Sequence, residues 1–370
     1  MDARSPGGAW QTLVARQAHD FAAWPVSGDR FVDETACLAA VLLAIGAARA
    51  LGIGNVGWAA FSAYMVIRPD LGETMHRGGS RVVGTAAGVM LAWLLAPAVA
   101  HSATRMGAAL ALFGGLCLYL ALLDRRAFGA LFAGMAFAMV LIDGMEFPGE
   151  ALDVLARARF LDVCVGSGAA LLVGAVSALT VQRRPTAAQD RGQDIRRQAL
   201  RLWHRGAFMH ALQAAIALAS IPLVWRVFHV QSLSQSSTTI LAVMMVPLLD
   251  VTASPHPASR KLKHRFIGCG TGALLATAIL VLSHASPLVM TLAVCFGVLA
   301  GRHIENGALG IGYVGTQFAL AFLVVLVPDN AALVDVHTGL ARLSGIVVGM
   351  ALLQPVRLLV RRRPLWLSSI

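Results

Sequence analysis

Arg81-Val-Val-Gly84-Thr85-Ala86-Ala87-Gly88 is the first of four stretches in which an arginine opens an apolar run and small residues follow at fixed distances. The others are Arg159-Phe-Leu-Asp162-Val-Cys-Val-Gly166, Arg265-Phe-Ile-Gly268-Cys-Gly-Thr-Gly272 and Arg342-Leu-Ser-Gly345-Ile-Val-Val-Gly349, so the shared pattern is Arg-x-x-(Gly or Asp)-x-x-x-Gly. Arg81 and Arg159 are 78 residues apart and Arg265 and Arg342 are 77 apart. The two halves also close alike, with Arg183-Arg184-Pro185 and Arg362-Arg363-Pro364. Repetition on that scale reads as a duplicated membrane unit.

The composition says what surrounds that unit. Hydrophobic residues make up 57% and charged residues 13% of the 370, against roughly 25% charged in soluble domains, and the mean hydropathy is +0.70. Lipid is the expected solvent. A span needs about 20 mainly apolar residues, and about twelve such stretches can be marked, near 33–52, 53–68, 81–99, 106–123, 127–143, 158–181, 208–227, 234–249, 266–283, 286–301, 308–327 and 341–360. The fold class expected is an all-α polytopic membrane protein of about twelve transmembrane helices.

Lys and Arg stay on the cytoplasmic side during insertion. With the N-terminus inside, 24 of the 30 basic residues fall in cytoplasmic segments, and both termini are then cytoplasmic. The net charge of +11 therefore reads as topology, and nucleic acid is not an expected partner. Residues 1–30 contain Pro6, Asp20, Pro25 and Asp29 and no continuous apolar core, unlike a cleavable signal peptide. The five cysteines lie in apolar stretches without metal-ligand spacing, so neither a disulfide nor a metal is expected, and no cofactor.

The long polar stretch before Arg205 divides the chain. The expected organisation is a cytoplasmic segment 1–29, a first six-helix half 30–185, a basic cytoplasmic linker 186–205, a second six-helix half 206–364 and a tail 365–370. Ile195, Leu200, Leu202 and Trp203 could put the end of the linker on the inner leaflet as an amphipathic helix, or the linker could simply be solvated. Both halves enter the membrane from the same side and are read as parallel repeats. Because three spans separate the two arginines within a half, each half is further read as a nested inverted repeat of three helices.

Each arginine stands at an expected helix start, where exposed N–H groups already favour an anion. Arg81, Arg159, Arg265 and Arg342 are therefore candidate substrate-binding residues, Arg81 and Arg265 near the cytoplasmic face and Arg159 and Arg342 near the outer one. The competing reading is that they snorkel to lipid phosphate or pair with a nearby acid. Gly84, Gly88, Gly166, Gly268, Gly272, Gly345 and Gly349 form small-residue faces suited to close helix packing. Asp162 replaces the small residue of the other copies, about one turn inside a span where an ionised carboxylate is expensive. It is the candidate proton-coupling residue; the competing reading is a local ion pair with Arg159, three residues earlier, that would neutralise it. Asp33, Glu34, His210 and Gln213 are weaker candidates.

Other chemistry lacks a foothold. Gly52-Ile-Gly54-Asn-Val-Gly57 and Gly310-Ile-Gly312-Tyr-Val-Gly315 match a dinucleotide fingerprint in letters only, without a βαβ context. The only lysines, Lys261 and Lys263, sit in no phosphate loop, and no zincin or serine-hydrolase motif occurs, so an enzyme is not expected.

Arg68-Pro69-Asp70 followed by the Arg81 motif, together with Arg159, Asp162 and Gly166, resembles the motif region of the fusaric acid resistance and aromatic acid exporter superfamily over about residues 30–364. The resemblance implies two six-helix halves and export of aromatic carboxylates or related weak acids across the bacterial inner membrane, with a periplasmic adaptor protein as partner. The chain departs from that pattern in having only a short linker between the halves. It also has Cys269 where Thr85 stands, and a longer approach loop, Ser254-Pro255-His256-Pro257.

Three functions remain in competition. The first is a secondary exporter of small organic anions; the second is an anion channel, since plant malate channels resemble the same superfamily. The third is a non-transporting scaffold of an envelope complex. Membrane lipid is a partner in each, and a homodimer is compatible with all three.

Overall fold

The computed structural model describes residues 28–124, 128–180, 204–230, 232–253, 257–284, 286–307, 309–327 and 336–361. The N-terminal segment before 28, the linker 181–203 with its amphipathic reading, most of the loop at Ser254 and the tail after 361 lie outside them, as does the side chain of Arg342.

Every regular element described is helical. The first half holds α1 (Gly28–Ala50), α2 (Val56–Val66), α3 (Leu71–Val99), α4 (Ala103–Leu123), α5 (Phe128–Glu146) and α6 (Leu152–Thr180). The second holds α7 (Arg205–Phe228), α8 (Ser234–Met244), the short α9 (Leu248–Ala253), α10 (Pro257–Leu282), α11 (Pro287–Glu305), α12 (Gly312–Leu326) and α13 (Val336–Arg361). Eight of these helices are long and apolar enough to cross a membrane, and Val56–Val66, Gly312–Leu326 and Leu343–Leu358 are shorter apolar helices. The chain is a polytopic, membrane-type helical protein. Large apolar side chains such as Val83, Trp93, Leu172, Leu179 and Leu274 stand on the outside, as lipid rather than water requires.

Helix packing follows one scheme in both halves. In the first, α3 lies along α5 and α6, α6 along α1 and α2, and α4 on α5; in the second, α10 lies along α12 and α13, α13 along α7 and α8, and α11 on α12. Between the halves α1 meets α11 and α2 meets α12, while α7 meets α4 and α8 meets α5. Two large apolar clusters result, each drawn from both halves, and a cavity is lined by residues of both.

Small residues make these approaches possible. Gly84 and Gly88 bring α3 against the backbone carbonyls of Gly129 and Ala133 on α5, and Gly268 and Gly272 bring α10 against Val314 and Phe318 on α12. Gly166 meets Ala59 on α2; Gly345 meets Ser232 just before α8, and Gly349 meets Ser236 on α8. A β-carbon at any of these positions would collide with main chain, which cannot step aside as a flexible side chain does. Gly88→Leu is expected to cost about 1–3 kcal/mol through overpacking, read as a lowered unfolding temperature in detergent, and an unchanged one would contradict the α3–α5 geometry.

Irregularities interrupt the helices where the halves meet. Helix α4 carries a π-helical stretch over Leu110–Gly114, and α7 breaks at Ser220 ahead of Pro222. Polar residues of α8 are satisfied locally: Thr238 donates to the Ser234 carbonyl, Thr239 to Gln235, and Ser236 crosses to the Gly345 carbonyl of α13. The amides of Ser232 and Leu233, just before α8, donate to Glu146 at the end of α5 in the other half.

One expectation is corrected. The motif arginines do not stand at helix starts, because each helix begins earlier in polar sequence that a hydropathy reading passes over. Helix α3 starts at Leu71, where the Asp70 side chain caps it by accepting from the Glu73 amide at 2.7 Å, and α6 and α10 start at Leu152 and Pro257. Arg81 thus lies about 15 Å along its helix. The dipole argument for anion binding fails at that depth, since the effect fades beyond the first turn.

Candidate functional site

Three of the four motif helices turn their arginines inward onto one cavity of about 180 Å³. Arg81 from α3, Arg159 from α6 and Arg265 from α10 all line it, joined by Arg77 and Lys261. Arg77 precedes Arg81 by one helical turn, and Lys261 precedes Arg265 by the same interval, so each pair shares a helix face. The two-faces reading of the arginines is therefore corrected: Arg81 and Arg159, assigned to opposite membrane faces, line the same chamber.

Five aromatic rings share the wall, and the cations rest on them. The Arg81 guanidinium lies 4.5 Å from the Phe132 ring centre and 5.7 Å from Phe61, Arg159 lies 4.4 Å from Trp58, Arg77 5.4 Å from Phe128, and the Lys261 ammonium 4.9 Å from Tyr313. Such contacts contribute roughly 0.5–2 kcal/mol each. They leave the edges of the guanidinium groups unused. Among the described residues Arg81 donates only to the Ser62 hydroxyl, at 3.1 Å. Arg265 donates to Gln317 at 2.8 Å, Thr239 at 3.0 Å and Tyr313 at 3.3 Å, all neutral. Arg159 pairs with Asp143 of α5 at 3.2 Å.

Buried N–H groups remain without acceptors at Nε of Arg81, Nε and Nη1 of Arg159 and Nε of Arg265. No acid lines the cavity among the described residues. Burying cations is expensive, and of the three arginines that converge here with idle donors only Arg159 has an acid partner among the described residues, Asp143. Donors of this kind are suited chemically to an anion, through charge-assisted hydrogen bonds. The rings beside the cations suit a flat apolar body attached to that anion, and the volume, small beside the roughly 300–1,000 Å³ of drug-sized pockets, suits one ring.

Asp162 occupies a different position from the expected one. It is completely buried in α6, and neither carboxylate oxygen makes a hydrogen bond of sound geometry, although the Asn55 side chain lies nearby. The expected Arg159–Asp162 ion pair is not formed. Helical side chains lean toward the N-terminus, so Arg159 reaches back, away from the acid that follows it, and finds Asp143 instead.

Residues not singled out from the sequence include Arg77, Lys261, Asp143, Trp58, Phe61, Phe132, Tyr313 and Gln317. Two signals were present. One is the basic pair at four-residue spacing, Arg77/Arg81 and Lys261/Arg265. The other is the glycine pattern refused as a nucleotide motif: Gly52 and Gly310 adopt left-handed φ of 65° and 68° in the turns before α2 and α12, the helices that carry Trp58 and Tyr313 in their first turns.

Residues 37–204 match the family model of the fusaric acid resistance protein family. No curated protein and no solved structure matches the chain. The matched span, 168 of the 370 residues, runs from α1 through the linker and includes Arg81, Arg159 and Asp162, so this part of the chain is similar to that family.

Proposed function

We propose that this protein is a secondary transporter that exports small organic anions, aromatic carboxylates foremost, across the bacterial inner membrane. The observation that carries this reading is the convergence of Arg81, Arg159 and Arg265, with unpaired N–H donors, on one ring-lined cavity between the halves. Arg342, the fourth motif arginine, is placed with them on the strength of its sequence equivalence alone. A scaffold needs no buried, unpaired cations, so the transport reading is favoured over it.

The architecture we infer is twelve spans in two parallel six-helix repeats with both termini cytoplasmic. The repeated packing scheme supports the parallel repeat. The contacts of the third helix on the fifth and of the sixth on the second support an inverted three-helix repeat within each half, since inversion exchanges those pairs. Substrate would then bind near mid-depth at the repeat interface. A periplasmic adaptor and a homodimer fit this reading as partners.

Asp162 is assigned the coupling proton, because it is buried, has no ion-pair partner and stands in the same helix as Arg159. Uptake of benzoate into proteoliposomes tests both points. A proton gradient should accelerate wild-type uptake several-fold, and Asp162→Asn should retain uptake down the benzoate gradient yet lose the acceleration. Current that follows voltage and benzoate alone in the wild type would instead identify a channel.

A further inference from the structure

A second polar cluster lies outside the cavity, where α1 meets α11. Arg302 grips Asp33 with two hydrogen bonds, Nε to Oδ2 at 2.8 Å and Nη2 to Oδ1 at 3.0 Å, and reaches Glu305 at 3.3 Å and the Ile67 carbonyl at 3.3 Å. His303 Nδ1 lies 2.9 Å from Glu34, which also receives Arg30 at 3.1 Å, and Arg30 donates to the His303 carbonyl at 2.6 Å. Asn306 donates to Asp33 at 2.8 Å, Tyr64 to Glu305 at 3.0 Å, and Arg68 stands 3.5 Å from Glu305. Three arginines face three acids, with His303 between them, and nearly every link joins one half of the chain to the other. Arg302, His303, Asp33 and Glu34 are all at most 3% exposed.

The counterpart seam, where α4 meets α7, is built differently. Gly107 abuts the Ala219 carbonyl, Gly114 the Leu218 side chain and Gly115 the Ala215 methyl, with no room for a β-carbon. The π-helical turn of α4 and the break of α7 at Ser220 lie at this seam. Close apolar packing of small residues forms a joint that can flex at such irregular turns without parting. Ion pairs behave otherwise, because water entering between them solvates both partners and offsets the attraction lost.

We propose that the α1–α11 cluster is a latch that shuts the cavity at one end, and that the halves open there by swinging about the α4–α7 seam. Asp33 near the start of α1, Arg68 after α2 and Arg302 near the end of α11 share one end of the bundle, the end that the distribution of basic residues assigns to the cytoplasm. The latch rests on the two-half architecture and is independent of which anion is carried.

Two native thiols report on it. Cys37 lies one turn from Asp33 on α1 and is wholly enclosed, and Cys117 is buried on α4. A charged maleimide applied to the full-length protein in membranes, followed by peptide mass spectrometry, should leave both unmodified in the wild type. Asp33→Asn should raise Cys37 labelling by about tenfold or more and leave Cys117 protected, and Arg302→Lys, which keeps the charge but loses the fork, should raise it less. Asp33→Leu with Arg302→Met should restore protection of Cys37 by apolar packing, yet slow benzoate transport by about tenfold or more because the seam no longer opens. Unchanged Cys37 labelling in Asp33→Asn and Arg302→Lys, joint labelling of Cys37 and Cys117, or wild-type transport by the apolar pair would overturn the latch. If benzoate is not carried by any form, the labelling alone decides, and the failure then belongs to the substrate reading.

Discussion

Arg81→Met is expected to slow carboxylate uptake by about a hundredfold while leaving the protein as stable as the wild type, or more so. A charged hydrogen bond to a bound carboxylate is worth roughly 1.5–3 kcal/mol, and the attraction between unit charges 4 Å apart is about 4 kcal/mol at an effective dielectric of 20. Losing most of that from the bound state gives two orders of magnitude. Stability moves the other way, because the guanidinium has no acid partner to strand and methionine keeps the contacts with Phe61 and Phe132. Arg265→Met should slow uptake similarly but lower the unfolding temperature, since it strips Gln317 and Thr239 of their donor. Initial rates in proteoliposomes and thermal unfolding in detergent separate the two quantities. Wild-type uptake by Arg81→Met would end the anion-site reading.

The largest loss of stability is expected from Asp143→Ala. It leaves the Arg159 guanidinium, two of whose three nitrogens already lack acceptors, as an uncompensated charge inside the bundle. Breaking a buried pair from one side costs about 3–5 kcal/mol, enough to prevent accumulation in many membrane proteins. Asp143→Leu combined with Arg159→Met should recover most of that stability and none of the transport. Recovery of both would show that the pair is only structural, and failure to recover stability would show that Asp143 has a further partner.

Much of this was legible in the sequence because membranes impose simple rules. Four arginine motifs, their glycine faces and the apolar stretches are one-dimensional patterns, and Gly84, Gly88, Gly268 and Gly272 stand at helix contacts. What the patterns could not carry was depth. The apolar run begins at Arg81, yet the helix begins at Leu71, because the Asp70 cap and the Glu73–Arg77 ion pair one turn apart support a helical start in residues that lower hydropathy. That offset moved the arginines from the membrane faces to the interior. Partner choice was equally hidden: spacing offered Asp162 to Arg159, whereas Asp143 comes from another helix, and only packing of α5 beside α6 brings it near. The rings of Trp58 and Tyr313 belong to short helices whose first turns looked like any glycine-rich loop.

The carboxylate at the end of α5 that receives the Ser232 and Leu233 amides bears on biogenesis. Those amides open α8, a helix rich in hydroxyls that enters lipid reluctantly by itself. Its cap is synthesised well before it, so the first half, already inserted, offers a docking point for the leading turn of α8 as it leaves the insertion machinery. The order in which the chain is made is then the order in which its least lipid-soluble helix finds what it needs.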